Sequence, residues 1–324
     1  MLYYIDNMQE PEIRKDYFKD DYVIIAPGRA KRPQMTKKVA DVEKPGDCPF
    51  CADNFKDDAF VTYRDNGYND EWEILSVINK YSALKVDNPS AYGQAEVVIE
   101  TRRHGLDIND FSVNHIVRVF NAYIDRYNYL KNMDDIKHVI IFKNEGGKAG
   151  ASIVHTHSQI MALPILPAKI EREARAYNKY RLEHMTCPYC DIILGETDKP
   201  RVIWEDQNLF VLAPYASDCP YGAWFIPKRH VSTISELTRS EKESIAMAMK
   251  IVLGKLDELG ICYNYFVENA VSQEDYHMHI KLAPRPNIWA GLELGTGVII
   301  NPIPPEEAAR IYRGVDEAEK NPHI

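Results

Sequence analysis

Asn144-Glu-Gly-Gly-Lys-Ala-Gly-Ala-Ser-Ile-Val-His-Thr-His-Ser-Gln159 ends on an H-x-H pair that returns later in the chain as His277-Met-His279. This recurrence decides the fold, because self-similarity over so long an interval means one architectural unit used twice. Outward from each pair the same order of features appears. The first half reads Cys48-Pro-Phe-Cys51, a strand-like Glu96-Val-Val-Ile-Glu100, His104, a long helix, a strand, then His155-Thr-His157. The second reads Cys187-Pro-Tyr-Cys190, strand-like Phe210-Val-Leu and Ala223-Trp-Phe-Ile, His230, a long helix, a strand, then His277-Met-His279. A length of 324 residues suits two such units. The predicted class is α+β: tandem duplicated domains at 1–168 and 169–324, each a mostly antiparallel sheet with helices packed on it.

The helices declare themselves locally. Thr238-Arg-Ser-Glu241 is a capping box opening an apolar pattern through Ile245, Met249, Val252 and Leu256, which Gly260 closes. Ile116, Phe120, Tyr123, Tyr127 and Leu130 keep the same spacing, predicting a helix from about Phe111 to Lys131. Glu171 to Glu183 is charged and helix-prone, and reads as a connector or lid between the halves.

Composition excludes several classes. Hydrophobic residues make up 45% and charged residues 27% of the chain, so a disordered or low-complexity protein is ruled out. The net charge of -9, without basic runs, weighs against nucleic-acid binding, which depends on clustered Lys and Arg. The most apolar stretch, Ile245 to Leu256, carries two lysines and predicts no membrane span. Residues 1–16 show no secretion signal. The expected location is the cytoplasm, where paired cysteines serve as metal thiolates rather than disulfides.

Each half supplies two cysteines and two histidines in the order C-x-x-C, H, H, the donor set of a tetrahedral zinc site. The expected ligands are Cys48, Cys51, His104 and His155 in the first half, and Cys187, Cys190, His230 and His277 in the second. Four protein ligands leave no position open for water, so two structural zinc ions are expected.

On a strand, residues i, i+2 and i+4 share a face, so His155, His157 and Gln159 point the same way. With His155 fixed to a metal, His157 is held nearby. A neutral imidazole is a good nucleophile toward phosphorus near pH 7. The preceding loop, Asn144 to Ser152, carries three glycines, a lysine, an amide and a hydroxyl. Such a loop can turn backbone N–H groups onto a phosphate. His279 follows no such loop and precedes Lys281 rather than a glutamine at the corresponding position.

At these residues the chain resembles the galactose-1-phosphate uridylyltransferase family of the histidine-triad superfamily. The family signature N-x-G-x-x-x-G-x-S-x-x-H-P-H-G-Q is matched without a gap from Asn144 to Gln159, with Thr156 and Ser158 in place of Pro and Gly. Arg29-Ala-Lys-Arg32-Pro33, Asn79-Lys-Tyr81-Ser-Ala-Leu84 and Gly93-Gln-Ala-Glu96-Val-Val-Ile-Glu100 resemble further family segments. The complete second Cys/Cys/His/His set and Gly291 to Pro302 are similar to the ADP-glucose phosphorylase and archaeal branch.

The resemblance implies two histidine-triad-like domains and a ping-pong nucleotidyltransferase acting on a nucleotide sugar and a sugar 1-phosphate, UDP-glucose and galactose 1-phosphate first. His157 would carry the nucleotidyl group and Gln159 would hold it by a hydrogen bond. Arg29, Asn144, Gly150 and Ser152 would hold phosphates, Asn79 the ribose side, and Glu293 the sugar hydroxyls. A homodimer is also implied by the resemblance, while charge and hydropathy point to no nucleic acid and no membrane as partner. The alternatives are an ADP-glucose phosphorylase that uses phosphate as acceptor, a dinucleotide hydrolase, and a non-enzymatic zinc-ribbon nucleic-acid module. Gln159 argues against the hydrolase, in which a third histidine stands at that position.

Overall fold

The chain's structure is a computed structural model that describes residues 11–27, 46, 48–55, 60–67, 71–271 and 275–314. The first half contains β1 (Glu12–Lys15), β2 (Tyr22–Ile25), β3 (Val61–Asn66), β4 (Trp72–Ile78), β5 (Gln94–Ile99), α1 (Val113–Leu130), β6 (His138–Glu145) and β7 (His157–Leu163). The chain continues through α2 (Ala168–His184), α3 (Pro188–Glu196), β8 (Val202–Glu205), β9 (Leu209–Leu212), β10 (Ala223–Pro227) and α4 (Arg239–Glu258). It closes with β11 (Tyr263–Glu268), β12 (His279–Pro284), α5 (Gly291–Thr296), β13 (Ile299–Asn301) and α6 (Pro305–Tyr312).

The long helices stand where the apolar spacing places them. Ser112 caps α1 by accepting the His115 amide at 3.1 Å. Thr238 and Glu241 form the reciprocal box at the start of α4. Beyond the end of α4 Gly260 takes a φ of 63°, which a β-carbon would oppose. The apolar faces of both helices, from Ile116 to Leu130 and from Ile245 to Leu256, are buried against one side of the sheet in a single core. Each large aliphatic or aromatic side chain so buried contributes roughly 1.5–3 kcal/mol.

That sheet unites the two halves. Its ten strands run β3-β4-β5-β7-β6-β11-β12-β10-β9-β8, each half supplying five in the same internal order. The junction is the antiparallel pair β6 and β11, where Phe142 faces Phe266. One row crosses the whole sheet on the side away from α1 and α4: Val61, Val77, Val97, Gln159, Phe142, Phe266, Lys281, Trp224, Leu212 and Val202. The row is arranged about Phe142 and Phe266 as about an approximate two-fold, with Gln159 and Lys281 in equivalent places.

A small second sheet orders β1, β2 and β13, with β2 and β13 parallel. Its N-terminal strands pack on the second half. Arg14 pairs with Glu306 at 3.0 Å, and the Tyr17 ring lies 6.2 Å from that of Trp224. Among the described residues, no helix is long and apolar enough to cross a membrane.

Candidate functional site

His157 opens β7 and is nearly buried. Its Nδ1 donates to the His155 carbonyl at 2.8 Å, which leaves the lone pair on Nε2, the nitrogen on the far side of the ring. The Phe50 ring, from the C-P-F-C turn, meets the imidazole edge-on with centroids 5.3 Å apart. Gln159 follows on the same face, flanked by Val97 and Phe142. His155 itself precedes the strand.

Next to β7, β6 ends in the glycine loop. Lys143 pairs with Ser158, so Asn144 lies one residue further, level with His157 at the end of the ladder. Gly146 and Gly150 have φ of 80° and 89°, conformations that favour glycine. The Ala149 and Ala151 amides both return to the Gly146 carbonyl, at 3.0 and 3.2 Å. At Gly146 a β-carbon would stand 2.4 Å from Cys262 Sγ. Gly150 and Ser152 are exposed on the stretch that leads into His155.

One participant was invisible to sequence reasoning. Asn264, on β11 of the other half, is buried and donates to Asn144 Oδ1 and to the Ala149 carbonyl, both at 2.8 Å. An amide within the apolar run Tyr263-Asn-Tyr-Phe-Val is the only signal of it, and the β6·β11 pairing that gives it meaning is long-range.

The other expected residues are dispersed. Asn79 opens the turn after β4, where its Oδ1 accepts the Tyr81 amide at 2.9 Å and its own amide reaches the Ala95 carbonyl at 2.8 Å. Glu293 lies in α5 and accepts the Ala290 amide at 2.9 Å, on elements separate from β6 and β7. Arg29 and the rest of its segment lie outside the described residues.

The donor sets do assemble. Among the described residues, Cys48, Cys51, His104 and His155 form one group able to hold a metal, and Cys187, Cys190, His230 and His277 another. His155 Nδ1 is 3.6 Å from both Cys48 Sγ and Cys51 Sγ, and His277 Nδ1 lies 3.6 and 3.5 Å from Cys187 and Cys190. Around a tetrahedral ion, metal–sulfur and metal–nitrogen bonds of about 2.3 and 2.0 Å would put the ligand atoms roughly 3.5 Å apart. His155 Nε2 donates to the Thr101 carbonyl at 2.7 Å and His277 Nε2 to the Pro227 carbonyl at 2.8 Å. These bonds fix the tautomer that turns Nδ1 toward the thiolates.

The second H-x-H sits in a different environment. His279 is wholly buried, its ring 4.2 Å from that of Tyr189 and 5.9 Å from those of Trp224 and Tyr276. Burial, with Lys281 close by, pushes its pKa down to about 3. Its Nε2 has no hydrogen-bond partner among the described residues. Tyr189 occupies in the second half the place of Phe50 in the first. Beyond it a cavity of about 830 Å³ opens under α2, lined by Lys19, Glu173, Trp224, Phe266, Glu268 and Lys281. Several of its lining charges are held in ion pairs: Glu173 meets Lys281 at 2.5 Å, and Lys19 lies 3.4 Å from Asp16. This cavity thus lies across the two-fold from the glycine loop and has no such loop of its own.

Comparison with known proteins follows the same lines. A family model described as the N-terminal domain of a domain of unknown function, DUF4931, matches residues 31–166. The chain is 30% identical over 329 residues to galactose-1-phosphate uridylyltransferase of Thermotoga maritima, covering 93% of this chain and 98% of the relative. It is 31% identical over 332 residues to ADP-glucose phosphorylase of Arabidopsis thaliana, covering 95% and 93%. The crystal structure of an ADP-glucose phosphorylase from Arabidopsis thaliana with bound ADP-glucose matches with a TM-score of 0.83 at 30% identity, covering 95% of this chain and all of that one.

Proposed function

The chain belongs to the family of galactose-1-phosphate uridylyltransferase and ADP-glucose phosphorylase, and from that premise we propose that it moves a nucleotidyl group from a nucleoside diphosphate hexose to a sugar 1-phosphate through His157. The carrying observation is the placement of His157 beside the glycine loop, with Nδ1 held by the His155 carbonyl at 2.8 Å. In the first half-reaction Nε2 bonds to the α-phosphorus while the bond from phosphorus to the bridging oxygen breaks, releasing sugar 1-phosphate. In the second, a phosphate oxygen of the incoming sugar 1-phosphate attacks that phosphorus and the P–N bond breaks, restoring the neutral imidazole. Positioning and charge neutralisation supply the acceleration.

Within this reading the unit 1–168 is catalytic, and Gln159 steadies the transferred group. Asn144, Gly150 and Ser152 hold phosphates, with Arg29 joining them, Asn79 on the ribose side and Glu293 at the sugar. Zinc fits both Cys/Cys/His/His groups, since thiolate and imidazole donors at these separations suit a closed tetrahedral site. Its role there is structural and it takes no part in the transfer. The enzyme acts as a cytoplasmic homodimer on its two small substrates, without nucleic acid.

UDP-glucose with galactose 1-phosphate is the leading substrate pair. The second metal group favours ADP-glucose with phosphate as the other reading. Mass spectrometry after mixing with either nucleotide sugar is expected to show a nucleotidyl adduct in wild-type protein and none in His157→Ala. An undiminished adduct in His157→Ala rejects the nucleophile. The kcat/KM for the UDP pair is expected to exceed that for the ADP pair by about tenfold, roughly 1.4 kcal/mol of transition-state preference. The reverse order moves the chain to the adenylyl reaction.

A further inference from the structure

His157 and Gln159 lie on the face of the sheet away from α1 and α4, so Thr156 and Ser158, which alternate with them, face the helices. There they meet a buried polar cluster. Lys143 and Glu100 are both fully buried and pair at 2.7 Å. Thr156 Oγ1 accepts from Lys143 Nζ and lies 2.8 Å from Glu100 Oε2 and 3.0 Å from Asp107 Oδ1. Ser158 Oγ bonds Glu100 Oε1 and lies 2.5 Å from the Tyr123 hydroxyl, which in turn donates to Glu100 Oε1 at 2.7 Å. Tyr265, from the other half, closes the ring 2.7 Å from Tyr123. Each hydroxyl bridges partners carried on different elements: Glu100 just past β5, Lys143 on β6, Tyr123 on α1 and Tyr265 on β11.

We propose that Thr156 and Ser158 are positioning residues, tying the back of the nucleophile strand to the Glu100–Lys143 pair so that His157 Nε2 stands at a fixed height over the glycine loop. The two positions at which the sequence departs from the family's Pro and Gly are the two that supply these hydroxyls. A small displacement of a reacting atom costs rate steeply. The cost of a lost hydroxyl therefore falls on attack at phosphorus more than on substrate affinity. Both hydroxyls contact buried charge, so removing either leaves Glu100 or Lys143 short of a partner.

This inference rests on His157 being the nucleophile, and its test separates the two. Thr156→Val, Thr156→Ser and Ser158→Ala are compared with wild type by quenched single-turnover formation of the adduct on His157, steady-state kinetics and thermal melting, using UDP-glucose and ADP-glucose. Thr156→Val and Ser158→Ala are expected to slow adduct formation and kcat about tenfold with KM changed less than twofold. Thr156→Ser, which restores the hydroxyl, is expected within about twofold of wild type in rate. Wild-type adduct rates on His157 in both Thr156→Val and Ser158→Ala, or a rise in KM at unchanged rate, overturn the positioning role. If Thr156→Val does not fold, Ser158→Ala alone decides it. An adduct on a residue other than His157 overturns the parent reading instead.

Discussion

Glu145, the last residue of β6, shows how one side chain ties the glycine loop to pH. Burial, with the Asp107 carboxylate beside it, raises its pKa to about 7, against the opposing pull of Lys143 at 3.6 Å. A carboxyl held above its ordinary value favours the folded state while protonated, so this contribution is complete below about pH 4.5 and is lost as pH rises toward 7. Glu145→Gln is expected to flatten stability between those limits and to gain on the order of 2 kcal/mol at pH 8 over wild type. Denaturant titrations at several pH values check this, and an unchanged slope rejects it. At this scale the sequence exposed the grouping of the eight sulfur and nitrogen donors, because residue type and spacing carry that information directly. It did not expose Asn264, Lys143 or Glu100 as partners of the site. A buried lysine reads like any other lysine until the strands that surround it are paired.

Among elements, α1 and α4 were legible almost to the residue, since caps and a 3.6-residue period are local signals. β7 was less so: His155 lies before the strand and only His157 opens it, as the donor sits in the turn that the metal group closes. The paired donor sets predict separable stability. Cys187→Ser is expected to leave one of two zinc equivalents by elemental analysis and to lower Tm by about 5 °C or more, because ligands gathered around an ion lose their organiser. Retention of both equivalents with unchanged melting would reject zinc at the second group. The first group, joined to β5 through the His155 bond to the Thr101 carbonyl, should keep its ion in this variant.

Across the whole molecule, the duplication was legible and the way its halves join was not. Order and spacing showed two units, but the partner of β6 is set by a register that no local pattern encodes, and residues 12–25 pack on the second half despite their place at the start of the chain. Asn264 crosses that junction to hold the loop of the other half. The pairing of β6 with β11 also sets what a severed chain would do. Cut between Leu163 and Ala168, each piece would present a long strand with unmatched amide and carbonyl groups and an aromatic ring at its middle, the kind of margin that recruits foreign strands. The pieces are therefore expected to precipitate when produced singly and to regain activity when produced together, which makes the enzyme a candidate reporter for proximity between two proteins fused to its fragments. Soluble, active N-terminal fragment on its own would show that the junction is dispensable.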